Sequence, residues 1–434
     1  MTVEEMKRLA CEAIDRNADK IIGIGQSIME EPEMGYKEFK TAEKVKKVFE
    51  ELGFEYIDKQ AVTGVVATAH GRSKKATVAI MGELDAICNY DHPYADKVTG
   101  AAHACGHNVQ ISTMLGTAIA LKESGILSEL DGDVKLMAVP REEAVELVYR
   151  AGLIKEGKIV ALGGKQNFIR LGLFDDVDAM VMQHTMTGDK ANAGGPGGLG
   201  FITKLMNYKG VSCHAAAPWN GVNALTAARL GLENVNAIRE TFKDEYGIRW
   251  HPIITKGGDL VNVVPSDVRM ESYIRGTTME ALNEANFKIN RALKAGADAV
   301  GAEVEIIDMP GYLFAYESKE LKDIVYDNEV ALLGEDHAER GNFGGSTDAN
   351  DVSVLLPTVH ARFGGYTGSA HGRDFLPVDK NLAYIEAAKM EVMTVIDLLA
   401  NGAERALEVK KNFTPKMTKE EYLRDWLKIG TDKA

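Results

Sequence analysis

ATVAIMGELDAI, residues 76–87, is the stretch from which the fold is read. Ala76–Met81 is an apolar run of strand length, and it ends in a carboxylate pair, Glu83 and Asp85. Upstream, Val62–Ala69 reads as a second short strand, with Gly71–Lys75 as the turn between the two. Downstream, a strand at Val134–Val139, a helical stretch after Glu142 and a strand at Ala179–Gln183 continue a strand–helix alternation. That order predicts an α/β fold with helices on the faces of a mixed, mostly parallel sheet. Before it, Met6, Ala10, Ala13, Ile14, Ile21, Ile24 and Ile28 fall on one broad helical stripe, and a further helix is expected over Thr41–Leu52.

The texture changes at ANAGGPGGLG, residues 191–200, which reads as a hinge. Beyond it the order is strand (Phe201–Tyr208), helix (Ala224–Arg239), strands (Pro252–Thr255 and Val268–Arg275), helix (Met279–Ala297) and strand (Glu303–Asp308). Two such passes suit a smaller α+β lid inserted in the larger domain. The alternation then resumes with a helix at Ser318–Leu333, a strand at Thr358–Arg362 and a long helix at Asn381–Leu399. The expected division is a catalytic domain built from residues 1–198 and 313–434, with a lid and dimerisation domain at 199–312.

The bulk numbers narrow the function classes. The 434 residues are 45% hydrophobic and 26% charged, a globular composition, and carry a formal net charge of −14. Such a field repels phosphate backbones and anionic lipid, so neither nucleic acid nor a membrane is an expected partner. The N-terminal MTVEEMKRLACEAIDRNADKII has no apolar core of an export signal, and no stretch approaches the length of a membrane span. Four cysteines, Cys11, Cys88, Cys105 and Cys213, are too few for a disulfide scaffold, which suggests a reducing cytoplasmic compartment.

Five clusters can carry chemistry. Glu83 and Asp85, two residues apart at a strand end, point to one side, where open α/β sheets gather ligands. HACGHN, residues 103–108, sets two histidines and a cysteine close together before the apolar helix Ile111–Leu121, a soft and borderline donor set suited to zinc or a similar ion. A buried structural cysteine flanked by capping histidines, or a Cys–His nucleophilic pair, fits the same letters. PREE, residues 140–143, places adjacent carboxylates at a strand-to-helix turn, where one can ligate a metal and the other serve as general base. An ordinary helix-dipole contact would explain the pair equally well. His184 ends the apolar run AMVMQH, and GSAHG, residues 368–372, is a flexible loop able to bring His371 to a shared site. Taken singly, each has a structural explanation; three of the five fall at expected strand ends.

Together these motifs resemble the metal-dependent aminoacylase and carboxypeptidase superfamily, in particular the amidohydrolase branch that includes auxin-conjugate hydrolases and aminobenzoyl-glutamate hydrolase B-type subunits. The matching segments run in the family's order: Gly82–Asp85, HACGHN, PREE, DDVDAMVMQH, KGVSCHAAAPWNGVNAL, GGDLVNVVP, YIRG, GGSTDANDVS and the SAHG loop. The resemblance implies metal ligands at Cys105, His107, Glu143, His184 and His371, and a general base at Glu142. It further implies that Asp85 orients the site, that His214 and Asn262 of the lid and Arg275 contact substrate, and that the chain is a homodimer in which the lid histidine completes the partner's site. Two divalent metal ions per subunit are implied, zinc or manganese foremost, with cobalt or nickel as further choices. The implied reaction is hydrolysis of the amide of a small N-acyl or N-aroyl amino acid, or of a dipeptide.

Departures from the family pattern cluster near the presumed pocket: Arg141 where relatives usually carry alanine, which places a cation beside the expected base, the longer segment AVELVYRAGLIKEGKIVAL after Glu143, and CNYDHPYAD after Asp85. Two rival readings remain. A non-catalytic ligand-binding subunit of a hetero-oligomeric amidohydrolase would not need both Glu142 and His107. A dinucleotide-dependent oxidoreductase lacks its G-x-G-x-x-G, because GGPGGLG precedes a strand rather than opening a helix.

Overall fold

The computed structural model describes residues 1–194, 198–316, 318–341 and 345–428, so the middle of the glycine-rich hinge lies outside the described residues. The chain is an α/β structure around a nine-stranded, mostly parallel sheet. In chain order its main strands are β1 (Tyr56–Gln60), β2 (Gly64–Ala69), β3 (Ala76–Glu83), β4 (Gly132–Val139), β5 (Ala179–Thr187) and β6 (Ala191–Asn192). A second, four-stranded antiparallel sheet follows: β7 (Gly200–Lys209), β8 (Arg249–Lys256), β9 (Asp267–Gly276) and β10 (Glu303–Pro310), in the order β8-β9-β7-β10. The chain then returns to the large sheet through β11 (Ala338–Glu339), β12 (Thr358–Thr367) and β13 (Leu376–Pro377).

The large sheet runs β1-β2-β4-β3-β5-β12-β6-β11, with β13 beside β12. Its centre is parallel: β3 pairs with β4 from Ala76↔Gly132 to Glu83↔Val139, and β5 lies between β3 and β12. Strands covered on both faces are uniformly apolar, which is why ATVAIM and AMVMQ read as unbroken runs. One face packs on the helices α1 (Val3–Arg16), α2 (Ala18–Glu30), α3 (Phe39–Leu52) and α4 (His107–Glu123), and on two later helices, Lys319–Leu333 and Ala387–Leu399. Every residue of α4 from His107 to Leu121 is buried, so it has no polar face.

The helix α5 (Leu147–Lys155) and the helix α6 (Gly164–Leu171) lie on the other side, near the small sheet. That sheet is backed by α7 (Ala224–Ala237) and α8 (Met279–Asp298), which pack against each other. They approach closely at Gly231 and Gly296, where a Cβ on Gly296 would stand 2.3 Å from the Gly231 nitrogen. The helices α9 (Lys319–Leu333), α10 (Ala349–Ser353) and α11 (Ala387–Leu399) follow the small sheet in the chain.

Three sequence expectations needed adjustment. The N-terminal stripe is two helices, because Asn17 ends the first and its side chain donates to the Ala13 carbonyl at 2.9 Å. Helix does not begin directly after Glu142: Arg141 and Glu146 hold positive φ angles of 49° and 52°, and α5 starts only at Leu147. Strand β12 continues past Arg362 to Thr367, paired with β5. Among the described residues, no helix is long and apolar enough to cross a membrane.

Candidate metal centre

The carboxyl ends of the central parallel strands meet at one edge of the large sheet, the place where open α/β sheets collect ligands. Strand β3 delivers Glu83 and, two residues on, Asp85. Strand β4 leads into Pro140–Glu143, β5 carries His184, and the loop after β12 carries His371. The connection into α4 supplies Cys105 and His107 through Gly106, whose φ is +82°. A Cβ there would stand 2.1 Å from the Thr185 hydroxyl, so glycine alone lets the cysteine and the histidine close on the strand end.

The side chains converge. The donor atoms of Cys105, His107 and His184 lie within 4.8 Å of one another, and so do those of Cys105, Glu143 and His371, and those of Glu83, His107 and Glu142. Cys105 Sγ is 3.3 Å from His184 Nε2, and His371 Nε2 is 3.1 Å from Glu143 Oε1. Two of the three imidazoles are aimed by their other nitrogen. His107 Nδ1 lies 2.8 Å from the Asp85 carbonyl and 3.2 Å from its carboxylate; His184 Nδ1 lies 2.8 Å from the Thr185 carbonyl. Both arrangements turn Nε2 toward the cluster, as ligating histidines require. The Asp85 carboxylate also accepts the backbone N–H groups of Glu142 and Glu143, each at 3.0 Å, and so fixes that turn from below.

The charges are arranged for a cation. Burial opposes ionisation of the Cys105 thiol, but His107 and His184 overcome it and hold the group well below its ordinary value. Burial likewise disfavours the His107 cation, and Cys105 with Glu83 reverses that and raises it. Hydrogen bonds to Cys105 and Glu143 push His371 up to about 11. Burial, with Glu83 and Glu143 nearby, pushes Glu142 well above the usual carboxylate range. Glu83 Oε2, His107 Nε2 and Glu143 Oε1 are buried without a hydrogen-bond partner of acceptable angle, although His107 Nε2 and Glu83 Oε2 are only 3.1 Å apart. Unsatisfied imidazole and carboxylate atoms, gathered beside the Cys105 sulfur, are a donor set that fits borderline divalent ions.

The cluster opens on a cavity of about 670 Å³, the size of a small-molecule site. Cys105, Glu142, Glu143, His184 and His371 line it from the side of the large sheet, and Phe201, Tyr273 and Arg275 line it from the small sheet. Arg275 donates to the Ser346 hydroxyl at 2.7 Å, and its guanidinium stacks 5.1 Å from the Phe201 ring centroid. His214 and Asn262 are not brought to this cavity. They sit exposed on the small domain, close to each other through the Ala215 N–H to Asn262 carbonyl bond of 2.9 Å. The surface around them is apolar: Trp219 is 78% exposed, and Leu260 and Val261 are exposed as well.

Arg141 does not stand beside the base. Its side chain is fully buried and turns away, donating to the carbonyls of Gly35 and Val145 and pairing with Glu146 at 3.2 Å. Several site residues escaped the sequence reading. The sequence marks Glu83 only as half of a carboxylate pair, whereas in the structure it reaches His107. Lys165, on α6, is wholly buried between Glu83 and Asp348, 2.5 Å from the latter. Tyr312 and Tyr273 donate their hydroxyls to the carbonyls of Glu142 and Ala144. Only the alternation at Glu83 and Asp85 carried a readable signal; the others depend on contacts between distant segments.

The sequence profile of the peptidase family M20/M25/M40 matches residues 79–377. A mouse protein named Xaa-Arg dipeptidase is 27% identical over 447 residues, covering 97% of this chain and 95% of its own length. An Arabidopsis thaliana protein named IAA-amino acid hydrolase ILR1-like 4 is 26% identical, covering 93% of this chain and 90% of its own. Among solved structures, a Bacillus subtilis protein described as a dinuclear metal binding peptidase from the M20 family shares the fold, with a TM-score of 0.63 and 21% identity over 88% of this chain and 98% of that one.

Proposed function

We propose, from the premise that this chain belongs to the peptidase family M20/M25/M40 and is a hydrolase of amide or peptide bonds, that it is a two-metal amidohydrolase acting on a small N-acyl or N-aroyl amino acid or a dipeptide. The observation that carries the reading is the sharing of Cys105 between two donor groups, one with His107 and His184 and the other with Glu143 and His371, beside Glu142 in one cavity. Those five residues would hold two divalent ions, zinc or manganese before cobalt or nickel. When bound, such ions supply Lewis-acid polarisation of the scissile carbonyl and a lowered pKa for water.

The chain's own groups do the rest. Glu142 takes a proton from the attacking water and returns it to the leaving amine. Asp85 keeps His107 and the Glu142–Glu143 turn in register. Arg275, with Phe201 and Tyr273 beside it, receives the substrate carboxylate. A non-catalytic binding subunit would have no use for a buried proton acceptor beside the donor set.

The boundaries 199–312 for an inserted lid belong to this reading, as do a homodimer through that lid and a cytoplasmic setting. The four free cysteines support the last of these. The exposure of His214 and Asn262 within an apolar surface supports their service in a partner's site. The test is direct. Exhaustively chelated protein should lose hydrolysis of a panel of N-acyl amino acids and recover it on adding Zn²⁺ or Mn²⁺; full activity after chelation would end the proposal. For the dimer, His214→Ala and Glu142→Gln chains, each inactive alone, should regain up to about a quarter of wild-type activity when mixed and reassociated, as random pairing gives intact sites only in mixed dimers. No recovery on mixing, with subunit exchange verified, would place His214 in its own chain's chemistry or in none.

A further inference from the structure

The candidate ligand histidines are held in two ways. His107 is buried and His184 partly so, and each sets Nδ1 against a backbone carbonyl. His371 is the exposed member of its donor group, with half of its side chain open to solvent, and the bonds that hold it run to its main chain instead. Its φ is +66°, in the left-handed region that a residue with a Cβ adopts only where its surroundings fix it. Two hydrogen bonds bracket it. The His371 N–H donates to the Ala104 carbonyl at 2.7 Å, and Asn89 Nδ2 donates to the His371 carbonyl at 2.9 Å. Ala104 precedes Cys105, so the first bond ties the histidine to the chain of a cysteine in its own donor group.

Asn89 belongs to CNYDHPYAD, the segment after Asp85 that departs from the family pattern. The segment is itself well anchored. Ile87 and Cys88 pair with Ala102 and Ala101, the residues that lead into His103 and Cys105. The Asn89 N–H donates to the Gly100 carbonyl at 2.7 Å, and its Oδ1 accepts the Asp91 N–H at 3.1 Å. A second side chain of the segment holds the far end of the His371 loop. His92 Nδ1 accepts the Tyr94 N–H at 3.3 Å, which leaves the ring proton on Nε2 to be donated to the Phe375 carbonyl at 3.3 Å. Neither Asn89 nor His92 is in a donor group.

We infer that Asn89 is a positioning residue for one of the two metal ions, acting through the main chain of His371. The inference rests on the two-metal reading and deepens it. His371 enters the donor group of Cys105 and Glu143, whereas the group of Cys105, His107 and His184 is complete without it. Loss of the Asn89 bond therefore loosens a ligand of one ion and none of the other. The carboxamide suits the task because its oxygen closes the local turn while its N–H groups remain free to donate. Serine closes the same kind of turn but is too short to reach the His371 carbonyl. Partners that orient metal ligands are worth about 10- to 100-fold in metal affinity.

The test is a calorimetric titration of the metal-depleted full-length protein with Zn²⁺. Wild type, Asn89→Ser, His371→Ala and the His371→Ala, Asn89→Ser double variant are compared. Wild type should take up two ions. Asn89→Ser should bind one of them with wild-type affinity and the other about 10- to 100-fold more weakly. His371→Ala should retain the ion that Asn89→Ser leaves untouched, and adding Asn89→Ser to it should change nothing further, because the asparagine acts through the histidine. A general disturbance of the fold would instead weaken both ions together. Equal weakening of both, unchanged affinities in Asn89→Ser, or a further loss in the His371→Ala background would overturn the inference. Fewer than two ions in wild type would overturn the two-metal reading and this inference with it. A selective loss of one ion in a protein that hydrolyses no N-acyl amino acid would uphold the inference and count against the amidohydrolase reading alone.

Discussion

Replacing Glu142 with glutamine is expected to lower kcat by about 10²- to 10⁴-fold, the contribution of a positioned acid–base group, with metal content and fold retained. Glutamine keeps the size of the side chain and its backbone bonds to Asp85 and Tyr312, but it cannot accept a proton. The environment makes this variant a clean probe. Burial, Glu83 and Glu143 already disfavour the Glu142 carboxylate, so a neutral amide relieves repulsion and the thermal stability should hold or rise. Steady-state rates with metal analysis on the same sample decide it. A rate within a few-fold of wild type at full metal content would remove Glu142 from the proton transfer.

The second large effect is on stability. Lys165 lies wholly buried between Glu83 and Asp348, themselves buried, and its amine also feels Glu142. Burial by itself would discharge the amine, but Asp348 and Glu83 reverse this and keep it a cation. Lys165→Met leaves two carboxylates without their counter-charge in a site water cannot reach. Breaking a buried pair in this way costs roughly 3–5 kcal/mol. Because Glu83 also contacts His107, metal affinity should fall along with the melting temperature. Adding Glu83→Gln and Asp348→Asn to Lys165→Met should recover much of the stability, since no orphaned charge then remains. Thermal and denaturant unfolding of the two variants make the comparison. A loss below about 1 kcal/mol for Lys165→Met would mean the triad behaves like a surface pair, contrary to its burial.

The legibility of the site followed the distance over which each residue acts. Cys105 and His107 share one tight turn, and Glu142 and Glu143 another, so local letters announced them. Glu83 and Asp85 followed from strand alternation. His184 and His371 stood out only as polar tips of apolar or flexible segments, and it is the parallel register of β3, β4, β5 and β12 that brings their segments to one edge. Arg141 shows the reverse case. The letter beside the base suggested a cation in the pocket, yet a backbone φ of 49° swings the side chain toward Gly35 and Glu146.

By itself, then, the amino-acid order determined the alternation of strands and helices, the insertion of a smaller α+β unit and the chemical character of the donor set, because periodicity, turn residues and soft ligands are local properties. Only the tertiary structure decided that Glu83 joins His107, that Lys165 is locked between Glu83 and Asp348, and that Arg275 and Arg362 line one cavity. Those contacts join side chains up to 183 residues apart, as between Lys165 and Asp348, and a contact between distant segments has no trace in either segment alone.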